Sequence, residues 1–161
     1  MGDLLAKIKS RYPKLTFTPS DSFYWSPVTK EIFYDQDSND MISKWSLLHE
    51  VGHALLGHSE YKADIMLIKL EIEAWQKALE VARQFQITID KNHIEDCLDT
   101  YRDWLYRRSI CPKCSNKSLQ QSDFRHYRCF NCHMRWQVSS SRFHRTYRKK
   151  DNNLKGQQVF I

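Results

Sequence analysis

Met41-Ile42-Ser43-Lys44-Trp45-Ser46-Leu47-Leu48-His49-Glu50-Val51-Gly52-His53-Ala54-Leu55-Leu56-Gly57 is the stretch on which the reading of the fold turns. Apolar residues recur through it at helical intervals, the polar run Asp35 to Asp40 offers N-capping side chains ahead of it, and Gly57 is a natural stop. A helix from about Met41 to Leu56 is expected. Residues four apart on a helix differ by about 40° in direction and about 6 Å in rise, so the imidazoles of His49 and His53 can reach one zinc ion from the same face. Glu50 then lies beside the ion. It is badly placed to be a ligand but well placed to take a proton from a water on the metal, the role of a general base. Trp45, Leu47, Leu48, Val51, Leu55 and Leu56 surround these groups, and two histidines and a carboxylate are costly to bury there without a metal or other partners.

A hydrolytic zinc site commonly takes three protein ligands and leaves the fourth position to water. His58 follows His49 by nine residues, which turns it about 180° away on a continuing helix, so it reads as a helix-end residue that contacts substrate or a carbonyl. The next carboxylates are in Leu70-Glu71-Ile72-Glu73-Ala74-Trp75. The apolar stripe of that segment runs through Ile68, Ile72, Trp75, Leu79 and Ala82. Glu71 lies at its margin and Glu73 points nearly opposite. Lys69 and Lys77 stand four residues to either side of Glu73 and explain it as a solvated salt-bridge residue. Helical phase therefore selects Glu71 as the third ligand.

Around this centre the chain reads as α+β. A short helix, Asp3 to Arg11, leads through Pro13 to a strand at Leu15 to Thr18, and then to a hairpin formed by Phe23 to Trp25 and Glu31 to Tyr34. Ser59 offers a cap for a helix from about Glu60 to Phe85, and Asp90 for another from Lys91 to about Arg108. Cys97 shares a helical stripe with Ile94, Leu98, Tyr101 and Leu105 and reads as a buried core residue.

Beyond that helix the character of the chain changes. Residues 1–106 carry 12 Lys+Arg against 17 Asp+Glu, a net −5, whereas residues 107–150 carry 12 Lys+Arg against Asp123 alone, a net +11. The same segment holds Cys111-Pro-Lys-Cys114 and Cys129-Phe-Asn-Cys132. Two such turns can present four thiolates to one tetrahedral zinc, and a segment of about 40 residues, poor in hydrophobes, needs that staple. Three parts are expected: a catalytic-type domain over 1–108, a four-cysteine zinc ribbon over 109–150 and a tail over 151–161. Two zinc ions per chain follow, one at each ligand set. In the ribbon, Arg125, Arg128, Arg135, Arg142, Arg145, Arg148, Lys149 and Lys150 interleave with Phe124, Tyr127, Phe130, Trp136, Phe143 and Tyr147. That mixture suits phosphate contacts and base stacking, although a ribbon also needs aromatics for its own small core.

Composition excludes several classes. With 4 Gly, 4 Pro and 13% aromatics, disorder is not expected. The longest apolar run, Ile65 to Ile68, is far below the roughly 20 residues of a membrane helix. The opening MGDLLAKIKSRYPK has no signal-type hydrophobic region, so a cytoplasmic location without membrane contact is expected.

His49-Glu50-Val51-Gly52-His53-Ala54-Leu55-Leu56-Gly57-His58 followed by Glu71-Ile72-Glu73-Ala74 resembles the small gluzincin metallopeptidases of the ImmA/IrrE type over roughly Leu15 to Phe85. The resemblance implies a minimal zincin-like fold with a short sheet beside the active-site helix. It also implies zinc on His49, His53 and the first glutamate of the second motif, Glu50 as base, and cleavage of a specific regulatory protein, often a DNA-bound one. Trp75 departs from the pattern, because those families often have there an Asp or Asn that orients a zinc-bound histidine; the departure keeps Glu73 in competition with Glu71. A zinc ribbon appended to a peptidase is similar to the arrangement in SprT-like proteases, whose ligand pattern fits less well. Two functions are thus expected in competition: a zinc-dependent endopeptidase, and a nucleic-acid- or protein-binding zinc adaptor whose peptidase fold has little or no turnover. Tyr61 and His93 are the available side chains for stabilising an oxyanion.

Overall fold

The computed structural model describes residues 1–139 and 148–150. It is α+β, with four helices and two small sheets among the described residues. Arg142, Phe143, Arg145, Tyr147 and the tail 151–161 lie outside the described residues. Packing divides the chain into two compact units. The first comprises Met1–Tyr61 and Met66–Leu98, and the second comprises Lys62–Ile65 and the described residues from Asp99 onward. The sequence division at 108/109 follows composition, whereas this one follows packing and falls within a helix.

In the first unit, helix α1 (Gly2–Arg11) precedes strands β1 (Thr16–Ser20), β2 (Tyr24–Ser26) and β3 (Glu31–Asp35). The expected strand and hairpin are present. β3 is central, parallel to β1 and antiparallel to β2, with Trp25 opposite Ile32. Ile32 and Tyr34 alternate inward, as one buried sheet face requires. On the other face Phe33 stacks against Tyr24 across the hairpin, with centroids 4.4 Å apart.

Helix α2 spans Met41–Leu56. Its start is set by Asp40, whose carboxylate accepts from the Ser43 N–H at 2.8 Å and the Ser43 hydroxyl at 2.9 Å. It ends at Gly57, φ 64°, where the Gly57 N–H reaches the Ala54 carbonyl and the His58 N–H the His53 carbonyl, a Schellman closure that folds His58 back over the last turn. Helix α3 spans Asp64–Gln84 and α4 spans Lys91–Ser109. α3 starts at Asp64, later than expected, so Ser59 is not its cap; Asp90 does cap α4, accepting from Asn92 N–H at 2.9 Å.

The core of the first unit gathers Leu5 and Ile8 of α1, Ile32 of β3, Leu47, Leu48 and Val51 of α2, Ala78 and Val81 of α3, and Ile94 and Leu98 of α4. The closest approach is at Gly52, where a Cβ would stand 2.4 Å from the carbonyl oxygen of Ala74. Only glycine fits, and α2 and α3 touch backbone to backbone. The buried stripe of α3 is consequently Ile68, Glu71, Ala74, Trp75, Ala78, Val81 and Ala82. Ile72 and Leu79, assigned to the stripe from sequence, are only partly buried. Small alanines face α2 because their size is what the contact at Gly52 demands. Cys97 is half-buried rather than buried, its thiol 3.7 Å from His93 Nε2.

In the second unit, β4 (Leu119–Gln120), β5 (His126–Arg128), β6 (Arg135–Val138) and β7 (Arg148–Lys150) form an antiparallel sheet in that order. Its core is Tyr127, Trp136, Val138, Cys111 and Cys129. Beside it Arg108 donates through Nε and Nη2 to the two oxygens of Asp64, at 2.6 and 3.2 Å, and Tyr127 Oη donates to the same carboxylate at 2.5 Å. Arg108 also reaches the Ser139 carbonyl and lies over the Trp104 ring. A buried guanidinium so fully partnered is tolerated where an unpaired one would not be.

Candidate metal centres

The approach of α2 to α3 at Gly52 brings His49, His53 and Glu71 together in the first unit. His49 Nε2 is 3.1 Å from both His53 Nε2 and Glu71 Oε2, and His53 Nε2 is 3.6 Å from that oxygen. A tetrahedral zinc with bonds of about 2.0–2.1 Å has ligand-to-ligand edges of about 3.3 Å, so the three donors fit such an ion. Burial pushes the Glu71 carboxyl up, but hydrogen bonds and charge from the two histidines outweigh it, and the group ends well below the usual carboxylate range. An ionised carboxylate flanked by imidazole nitrogens is a donor set suited to a divalent cation.

Glu50 stands outside this triangle. Its Oε2 accepts the backbone N–H of Trp25 at 2.7 Å, which ties it to the edge strand β2. Burial raises its carboxyl above the ordinary value, against the opposing pull of His49 and His53. Trp25 also donates through Nε1 to the His58 carbonyl at 2.8 Å, so one residue fixes β2 against both Glu50 and the end of α2.

Two side chains orient the histidines, and the sequence did not assign either to that task. His58 Nδ1 lies 2.9 Å from His53 Nδ1, and its Nε2 lies 3.5 Å from Glu73 Oε2. His58 therefore holds the ring nitrogen of His53 that faces away from the cluster, in the manner of the outer partners of metal-bound histidines. Burial, and then the charge of His53, lower the pKa of His58, with Glu73 opposing. Glu73 also meets Lys69 at 3.8 Å, whereas Lys77 pairs with Glu80 instead. His49 is held differently. Its Nδ1 is buried with no hydrogen-bond partner among the described residues, and its ring packs on Trp75 with centroids 4.2 Å apart. Trp75 thus holds the His49 ring through its face, not through a hydrogen bond to Nδ1. His93 packs edge-on to Trp75 at 5.7 Å, behind the cluster rather than in it, and Tyr61 is in the segment between α2 and α3.

In the second unit Cys111, Cys114, Cys129 and Cys132 bring their sulfurs together, with 3.5 Å between Cys111 and Cys132 and 3.4 Å between Cys114 and Cys129. A tetrahedral zinc with bonds of about 2.3 Å has sulfur-to-sulfur edges of about 3.8 Å, so these four also fit one ion. The two turns repeat one geometry. Ser115 N–H bonds to the Cys111 carbonyl and His133 N–H to the Cys129 carbonyl, each at 3.0 Å. Cys111 N–H bonds to the Asn116 carbonyl and Cys129 N–H to the Met134 carbonyl, each at 2.9 Å. Ser115 and His133 share a left-handed φ, 59° and 57°. The backbone N–H of Cys132 leads in pulling the Cys129 thiol down to about 6.

No protein family, curated protein or solved structure matches this chain. No helix among the described residues is long and apolar enough to cross a membrane.

Proposed function

We propose that the first unit is a zinc-dependent endopeptidase that cleaves a specific, DNA-associated regulatory protein in the cytoplasm. The observation that carries the reading is the position of Glu50, a carboxylate beside the His49, His53 and Glu71 donors, outside their triangle and bonded to an edge strand. In the minimal zincin-like arrangement that the motifs resemble, a general base occupies that place.

Zinc on His49 Nε2, His53 Nε2 and Glu71 would supply an acidified water and a Lewis acid for the scissile carbonyl. Glu50 takes the proton of the attacking water on its carboxylate and returns it to the leaving amide nitrogen; a carboxyl raised by burial suits that double task. β2 is an edge of its sheet and offers backbone groups for an extended peptide to join as a further strand. Trp75 and the pair His58–Glu73 keep the two imidazoles aimed at one point.

The test is digestion of a proteome-derived peptide library by the zinc-loaded chain and by Glu50→Gln, read by mass spectrometry of new termini. The intact protein should generate a defined set of cleavages, and Glu50→Gln should retain its zinc while cleaving at least about a hundredfold more slowly. Equal termini from both proteins, or none from either, would remove the endopeptidase reading and leave the zinc adaptor.

A further inference from the structure

The four aromatics of residues 111–139 divide into two pairs. Tyr127 and Trp136 are 1% and 0% exposed and form its core, whereas Phe124 and Phe130 are 47% and 68% exposed. The small core is complete without these two phenylalanines. They bracket β5, one in the turn before it and the other between Cys129 and Cys132.

The strand register separates the two faces of the sheet. Gln120, Tyr127, Trp136 and Lys150 form one cross-strand row, and Val138 with Arg148 continues that face. This is the packed side, since Tyr127, Trp136 and Val138 are buried. The opposite face carries Leu119, Arg128 and Arg135 in one row and His126, Gln137 and Lys149 in the next. It carries no acid. The charges behind it are unequally committed. Arg108 is buried on Asp64, and Arg135 bonds to Asp123 at 2.9 Å, but Arg125, Arg128, Lys149 and Lys150 are exposed with no ion pair among the described residues. Asp123 is the one acid in residues 107–150 and is already occupied by Arg135, His126 and the Arg125 N–H.

We propose that this sheet face, with Arg128 and Lys149 on it and Phe124 and Phe130 at the ends of β5, binds single-stranded nucleic acid. Arg128 on β5 and Lys149 on β7 are separated by β6 and so stand roughly 10 Å apart across the sheet, at about 4.8 Å per strand; each can meet a phosphate of one backbone, and exposed rings offer stacking surfaces to unpaired bases. A duplex keeps its base faces stacked inside and leaves Phe124 and Phe130 without use, so the single strand is the better occupant. Stacking and phosphate contacts are both indifferent to base identity, and little sequence preference is expected. The surface belongs to the second unit and does not depend on the peptidase reading.

The experiment is fluorescence anisotropy of the full-length, zinc-loaded protein with a labelled oligothymidine of about twenty nucleotides, titrated at several salt concentrations between about 50 and 300 mM. Log affinity should fall linearly with log salt. Arg128→Ala with Lys149→Ala should lower that slope by roughly 1.4, about 0.7 for each phosphate no longer neutralised. Phe130→Ala should weaken binding at least about fivefold with the slope retained, as removal of one stacking surface does. Glu50→Gln should bind like the parent, whatever its effect on cleavage. Retention of the four-thiolate metal, read as cobalt charge-transfer absorption, verifies that each variant is folded, and Arg128→Glu provides a second surface variant. Absence of salt-dependent binding would overturn the proposal in favour of a protein-docking face. Binding that survives these substitutions, or a duplex bound as tightly as the single strand, would overturn it as well.

Discussion

Among the described residues, His49, His53 and Glu71 stand on two helices packed through a core of sixteen buried residues, while the four cysteines sit on turns around a cluster of five buried residues that includes Cys111 and Cys129. At roughly 1.5–3 kcal/mol per buried large side chain, the core of the first unit can hold its geometry before any ion arrives, whereas the described cluster around the cysteines has too little apolar surface for that. An ion at the first centre would be a guest in a prepared site. At the second it would be part of the fold.

The strongest test of this contrast is metal removal. The purified protein should carry close to two zinc per chain. Chelation, or Cys111→Ser, should abolish the ordered environment of Trp136 in near-ultraviolet dichroism while the helical signal of the first unit persists. Simultaneous collapse of both signals would show that the first unit also needs its ion to fold.

A smaller effect is expected at the point where α2 meets α3. Gly52→Ala places a methyl group 2.4 Å from the Ala74 carbonyl oxygen, and the helices must separate. Destabilisation of the first unit by about 3 kcal/mol, the upper range for overpacking, should appear in its thermal unfolding, together with weaker zinc binding. Unchanged stability would mean that the helices do not touch there.

The smallest effect sharpens the choice of third ligand. Glu71→Ala should weaken zinc at the first centre about tenfold or more, whereas Glu73→Ala, which removes a partner of His58 and of Lys69, should weaken it less. Competition with a chromophoric chelator separates the two, and the reverse order would assign the ligand to Glu73.

Much of this was legible along the chain because it depends on near neighbours. His49 and His53 converge through helical pitch, Gly57 ends the helix because it adopts φ 64°, and the two cysteine turns are each closed by hydrogen bonds spanning four and five positions. The strand and hairpin followed from local β-rich runs and their turn. The periodicity of α3 is less legible, since a stripe defined by large hydrophobes passes over Ala74 and Ala78, which are buried because they are small. Glu71 lies at the margin of that hydrophobe-defined stripe but within the stripe that packing buries.

What the sequence by itself determined is the set of donors and the local turns that present them. Tertiary structure decided which groups surround those donors. Trp25 reaches Glu50 across 25 positions, Trp75 stacks on His49 across 26, and Asp64 meets Arg108 across 44. His58 is five residues from His53, yet a continuing helix would carry it away; only the left-handed turn at Gly57 returns its ring to His53. Likewise basic and aromatic residues alternate along the chain from Phe124 to Trp136, and strand register places Tyr127 and Trp136 on the packed face and Arg128 and Arg135 on the other. Periodicity reports the direction of a side chain relative to its own element. The partner it meets depends on how elements pack, and in this chain that packing is set by the absence of a side chain at Gly52 and the small size of Ala74.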